Sequence, residues 1–223
     1  MTLSASLWPP SFDFAIFDFD GTLSATEKLW EKVDRAFFAA RGIAYTPEAH
    51  QTLATLGFTG GAHWVREEFG VRDSVEEICD EWNRMGAALY ETEAVLRDGA
   101  EGYLLALRAA CIPIALATTN DPQVLASMAP RIRVEELFDA VVCGKEVGKS
   151  KDHPDIYLEA ARRIGADPSR TIVFEDIIAG TRSANSAGFM TCALRCTDPL
   201  QPRDILRAEA DLWLDEWTDI SLF

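Results

Sequence analysis

Positive charge is scarce in this chain of 223 residues: 21 lysines and arginines face 36 aspartates and glutamates, a formal net charge of −15. Such a surface repels phosphate backbones and anionic lipid head groups, so no nucleic acid and no membrane is expected as a partner. Long apolar runs are also lacking. No uncharged stretch approaches the ~20 residues of a spanning helix, and the start, MTLSASLWPP, has neither a basic cluster nor an apolar core long enough for a signal peptide. The expected location is cytoplasmic. Cysteines are few. Cys79, Cys111, Cys143, Cys192 and Cys196 are odd in number, scattered and set mostly among apolar neighbours, which suits reduced buried thiols better than a disulfide framework. Cys192 and Cys196 have no histidine pair nearby, so a core role outranks a zinc site there. What the chain does have is 48% hydrophobic residues, enough for one large domain or a domain carrying a smaller insertion.

The chain changes character along its length. Residues 27 to 95 are rich in charged, aromatic and alanine residues at helical spacing, with breaks read at Gly42, Pro47, Gly57, Gly60, Gly61, Gly70 and Gly86, the pattern of a small helical domain. From residue 98 short apolar runs alternate with helical patterns. Strands are expected at 112–117, 140–143, 171–174, TCAL and DLWL, and helices at 99–109, after Pro122, in PDIYLEAARRIG and from about 179, ending before Gly188. Pro154 stands where a helix can begin, Ile156, Tyr157, Ala160, Ala161 and Ile164 form one apolar face, and Gly165 stops it. This alternation predicts an α/β fold with a parallel sheet covered on both faces.

In such sheets ligands bind beyond the carboxyl ends of the strands, and that is where the unusual polar residues fall. The first apolar run, FAIF, breaks into Asp18 and Asp20; the run at 112–117 ends in Thr118, Thr119 and Asn120; TIVF ends in Glu175 and Asp176; Lys145, Lys149 and Lys151 follow 140–143. Carboxylates gathered this closely require a counter-charge, and Mg²⁺, with its preference for a few carboxylates plus water, fits. The cation in turn invites a phosphate, whose remaining oxygens a threonine hydroxyl, backbone N–H groups and a lysine can bind. A carboxylate held against phosphorus can attack it, and a second one can move the proton. Gly21 allows a tight turn and Thr22 can cap it.

The set DFDGTL, ALATTND, a lysine before HPDIY, and VFEDIIAGTRSANSAG resembles the haloacid dehalogenase superfamily, in particular its phosphatases and β-phosphoglucomutase-like members with a helical cap after the first strand. The resemblance implies a Rossmann-like parallel-sheet core at 1–23 and 96–223 and an all-helical cap at 24–95. It implies that Asp18 is the nucleophile, Asp20 the general acid/base and Thr118 the phosphate-binding hydroxyl. Lys151 is the family lysine, with Lys149 as the alternative. The phosphoryl group is expected against Gly21, Thr118, Thr119, Asn120 and Lys151, and Mg²⁺ against Asp18, Asp176 and the main-chain carbonyl of Asp20, with Glu175 beside them. The reaction implied is hydrolysis of a small-molecule phosphate ester through an aspartyl-phosphate.

Two departures from the family pattern stand out. Ala25 replaces an acid in SATE, at the hinge, and Gly60 in LGFTGG stands where sugar-phosphate mutases carry a cap arginine. A mutase is thereby disfavoured, with Arg66 as the cation through which it survives as an alternative. Asp20 speaks against a dehalogenase. A phospho-accepting signalling receiver gathers similar groups at its sheet edge, but has neither the second aspartate nor a cap. The cap residues that set specificity, and the oligomeric state, have no signature in the sequence.

Overall fold

The apolar runs form a six-stranded, wholly parallel sheet in the computed structural model, which describes residues 6–222 and leaves the side chains of Glu27 and Glu135 undescribed. The first five residues of the leader reading therefore lie outside the described part. The strands are β1 (Phe14–Phe17), β2 (Ile114–Thr118), β3 (Ala140–Cys143), β4 (Thr171–Glu175), β5 (Met190–Leu194) and β6 (Leu212–Leu214), in the order β3-β2-β1-β4-β5-β6. β1 is central, with Phe17 in register with Leu116 and Phe174. The helices are α1 (Glu27–Ala40), α2 (Pro47–Phe69), α3 (Val75–Thr92), α4 (Ala100–Ala109), α5 (Pro122–Ser127), α6 (Val134–Leu137), α7 (Gly144–Val147), α8 (Asp155–Arg163), α9 (Ile178–Ser186) and α10 (Arg203–Glu209). The α/β parallel-sheet expectation holds. Thr118 and Glu175 are the last residues of β2 and β4, one step further into the sheet than read, and Lys145 lies in the short α7.

Side chains alternate across a strand, and that alternation sorts the core. Ile16 and Val173 pack with Ile156, Tyr157 and Ala160 of α8 on one face. On the other, Phe17 and Phe174 stack at 4.7 Å beside Tyr103 of α4 and Trp217. Asp18 and Glu175 lie two positions beyond Ile16 and Val173, hence on the α8 side.

The chain divides into two compact units. The first runs up to Ala25, from Val95 to Asn120, and from Arg133 onward; it holds the sheet. The linkers at its edge are paired: Ser24 bridges Leu96 antiparallel, Ser24 Oγ donates to Val95 O at 2.6 Å, and Arg97 N–H to Leu23 O at 2.8 Å. The second unit comprises Thr26–Ala94 and Asp121–Ile132, so α5 groups with the helices although the expected boundaries placed it with the core; the reason is that α5 packs along α3. Its centre is built from Phe37, Phe38, Val65, Ile78 and Trp82.

The glycine breaks in this unit separate into two kinds. Gly42 and Gly70 have positive φ after α1 and at the end of α2, Pro47 opens α2 next to the Thr46 cap, and Gly57 (φ 65°, ψ −171°) kinks it. Gly60, Gly61 and Gly86, read as breaks, lie inside helices. At Gly86 a Cβ would stand 2.7 Å from Trp30 Cη2, and at Gly61 2.8 Å from Leu53 Cδ2. Both serve close packing. The five cysteines form no disulfide; Cys143 and Cys192 are buried, but Cys111 is exposed, against the buried-thiol expectation, because it sits in the turn after α4 with φ 58°. No helix among the described residues is long and apolar enough to cross a membrane.

Candidate active site

The carboxyl edge of the sheet brings three acids and one base into a buried cluster. Asp18 follows β1 and its N–H still bonds Phe174 O at 3.0 Å, extending the ladder by one residue. One carboxylate oxygen each from Asp18, Glu175 and Asp176 lies within 4.8 Å of the other two, and all three residues are buried. The Lys151 ammonium donates to Asp18 Oδ1 and to Glu175 Oε1. Lys149, its alternative in the sequence, is exposed and instead pairs with half-buried Asp155 at 2.8 Å. Glu175 Oε2 accepts the N–H groups of Asp176 (2.9 Å) and Ile177 (3.2 Å).

Three acids outnumber the single cation. Burial pushes the Asp18 carboxyl up to about 7 from 3.8, with Lys151 pulling it back and Glu175 and Asp20 adding to the rise. Burial, then Asp18 and Glu175, raises Asp176 well above the ordinary range. For Lys151 burial acts downward, but the two carboxylates it touches outweigh it and hold the ammonium protonated. Asp18 Oδ2 has no hydrogen-bond partner although it is buried. A buried bare carboxylate oxygen beside a second carboxylate is the donor set a hard divalent cation requires, so the residues fit Mg²⁺.

The remaining expected residues lie around this cluster. Asp20 is outside the acid trio; its Oδ2 accepts from Asn120 Nδ2 at 2.6 Å. Thr118 is buried and its Oγ1 accepts the Asn120 N–H at 3.1 Å, whereas Thr119 is exposed. Gly21, expected among the phosphate-binding groups, donates its N–H to Ser24 O at 2.7 Å. Its requirement is steric: φ is 81°, and a Cβ there would stand 2.0 Å from Asp176 Oδ2. Thr22 Oγ1 reaches Asp176 Oδ1 at 3.4 Å.

Three neighbours escaped sequence reasoning. Arg97 donates to the carbonyls of Gly21 (2.6 Å) and Arg195 (3.2 Å), bracing the turn after β1. The Cys196 thiol hydrogen-bonds Asp176. The Tyr157 hydroxyl donates to Glu175 Oε1 at 2.7 Å. Backbone carbonyls leave no trace in a sequence, and Tyr157 reads there as one more member of an apolar helix face.

Known proteins resemble this chain in sequence and in fold. This chain is similar to a phosphorylated carbohydrates phosphatase of Thermotoga maritima, 29% identical over 177 residues that cover 78% of this chain and 80% of that protein. It is 30% identical over 220 residues to protein CbbY of Cereibacter sphaeroides, with 92% of each chain covered. The crystal structure of CbbY from Rhodobacter sphaeroides in complex with phosphate superposes with a TM-score of 0.82 at 27% identity, covering 93% of this chain and 96% of that one. A family model described as haloacid dehalogenase-like hydrolase matches residues 12–188. The chain belongs to the haloacid dehalogenase-like hydrolases, on the phosphatase side of that family.

Proposed function

We propose that the protein is a Mg²⁺-dependent phosphatase that hydrolyses a small phosphorylated carbohydrate or related ester through a phosphoryl group carried on Asp18. The observation that carries this reading is the state of Asp18, with one carboxylate oxygen held by Lys151 and the other bare beside Asp176. The nature of the ester is supported by the T. maritima relative, which acts on phosphorylated carbohydrates.

Asp18 and Asp176, with the main-chain carbonyl of Asp20, would hold Mg²⁺, Glu175 lying beside them as the partner of Lys151; when bound, the cation would offset the crowded carboxylates and the charge on the phosphoryl oxygens. The Asp18 carboxylate attacks phosphorus, and the bond to the ester oxygen breaks as Asp20 protonates it. Asp20, now a carboxylate, takes a proton from water. That water attacks the phosphorus of the acyl phosphate, releasing inorganic phosphate and restoring Asp18. Asn120 orients Asp20 through its 2.6 Å bond, while Lys151 and the Thr118 hydroxyl hold phosphoryl oxygens. Gly60, inside α2, supplies no cation for a second phosphate, which favours hydrolysis over transfer within a bisphosphate.

The test is a panel of phosphate esters, including β-glucose 1-phosphate with catalytic bisphosphate, assayed with and without Mg²⁺. Release of inorganic phosphate that requires Mg²⁺ supports the reading. No release from any ester, or rapid formation of glucose 6-phosphate with little free phosphate, overturns it.

A further inference from the structure

Tyr157 has no part in the reaction just described, yet it is fully buried and its hydroxyl ends on the acid that shares Lys151 with Asp18. A carboxylate offers about four lone-pair positions, and those of Glu175 are all taken: Oε1 accepts from Lys151 and Tyr157, and Oε2 from the N–H groups of Asp176 and Ile177. The Lys151 ammonium has three N–H donors, of which Asp18 and Glu175 occupy two.

Two features of α9 fit this arrangement. A Cβ at Gly180 would lie 2.6 Å from Tyr157 Oη, 2.7 Å from Glu175 Cδ and 2.8 Å from Glu175 Oε1, so the phenol–carboxylate pair fits only against a residue without a side chain. One turn on, Ser183 Oγ donates to Lys151 O at 2.6 Å and fixes the lysine backbone. Tyr157, Gly180 and Ser183 thus converge on the Lys151–Glu175 pair from α8 and α9.

We infer that Tyr157 is a positioning residue: its hydroxyl holds Glu175 Oε1 in place so that the Lys151 ammonium stays shared between Glu175 and Asp18, with its third N–H directed to a phosphoryl oxygen. Without the phenol, Lys151 is the only donor left to Glu175 Oε1 and is drawn away from Asp18. The role of the third N–H rests on the phosphatase reading; the positioning of the ammonium does not.

Tyr157→Phe removes the hydroxyl and keeps the ring. Orthovanadate and inorganic phosphate binding are measured by calorimetry in Mg²⁺, together with the thermal midpoint and the ammonium resonance of Lys151 in ¹⁵N-lysine-labelled protein. Vanadate, which mimics the five-coordinate phosphorus, is expected to bind about ten- to a hundredfold more weakly, the loss of one hydrogen bond to a charged group. Phosphate binding changes by less than about threefold, since the contact matters most in the transition state, and the Lys151 resonance shifts. A lower thermal midpoint with unchanged vanadate affinity reduces Tyr157 to packing and overturns the inference. Should the wild-type protein bind no vanadate and hydrolyse no ester, the phosphatase reading fails and the resonance decides alone: a shift in Tyr157→Phe sustains the positioning of Lys151, and an unmoved resonance overturns it.

Discussion

Asn120 Nδ2 donates to Asp20 Oδ2 at 2.6 Å, tying the end of β2 to the turn that follows β1. A neutral amide orients a carboxylate without fixing its charge. Asn120→Ala is expected to lower kcat about tenfold, the order of one hydrogen bond, with KM little changed. Asn120→Asp places two carboxylates in contact, and such a pair shares a proton. The acid limb of its pH–rate profile moves upward, measured with p-nitrophenyl phosphate; superimposable profiles for wild type and Asn120→Asp would remove Asn120 from the reaction.

Asp18→Asn should abolish turnover and yet stabilise the protein at alkaline pH. Burial, against the opposing pull of Lys151, raises the folded pKa of Asp18 to about 7 from 3.8. The stability linked to its proton is therefore complete below about 3.8 and lost as pH rises through about 7. The amide does not titrate. Calorimetric scans in EDTA should show the variant gaining on wild type between pH 5 and pH 8, and a gain that shrinks over that interval contradicts the burial argument.

Gly21→Ala and Asp176→Asn should produce the same defect by different routes. The first pushes a Cβ into the Asp176 carboxylate, and the second removes its charge. Both are expected to raise the Mg²⁺ concentration for half-maximal activity by about tenfold or more, as loss of a metal contact does, with excess Mg²⁺ giving partial rescue. Titration calorimetry that finds wild-type affinity in Asp176→Asn moves the cation elsewhere.

Asp34 in α1 provides a pH dependence away from the sheet. Burial raises its carboxyl to about 7 from 3.8, against the Tyr45 hydroxyl bond at 3.2 Å and with Glu31 adding to the rise. Its stability contribution is whole below about 3.8 and disappears as pH rises through about 7. Because the residue is only half-buried, Asp34→Asn is expected to raise Tm by about 2–5 °C at pH 8.5 and hardly at pH 5. Equal effects at the two pH values would show that the carboxyl is solvated.

Residues that interrupt an apolar run were the most legible. Asp18, Thr118 and Glu175 could be assigned to one edge because each ends a buried strand, and the parallel order of those strands brings the ends together. Steric glycines were not legible: Gly86 and Gly57 look alike in a sequence, yet one accommodates the Trp30 ring and the other bends α2. Nor was the affiliation of α5, whose apolar face suits α3 as well as a sheet. Arg97 was invisible for a different reason, since it acts on backbone carbonyls that any residue would supply.

The bridge between Ser24 and Leu96 means that the chain leaves the sheet unit and rejoins it at adjacent positions, one strand spacing apart. To the sheet, everything between is a loop whose ends are already fastened together. The entropy of closing such a loop changes only slowly with its length, and the bridge itself does not depend on what the loop contains. The insertion is therefore anchored at a single point of the sheet, and its helices can change in length without moving the register of β1, within the one constraint that α3 keeps the face on which α5 packs.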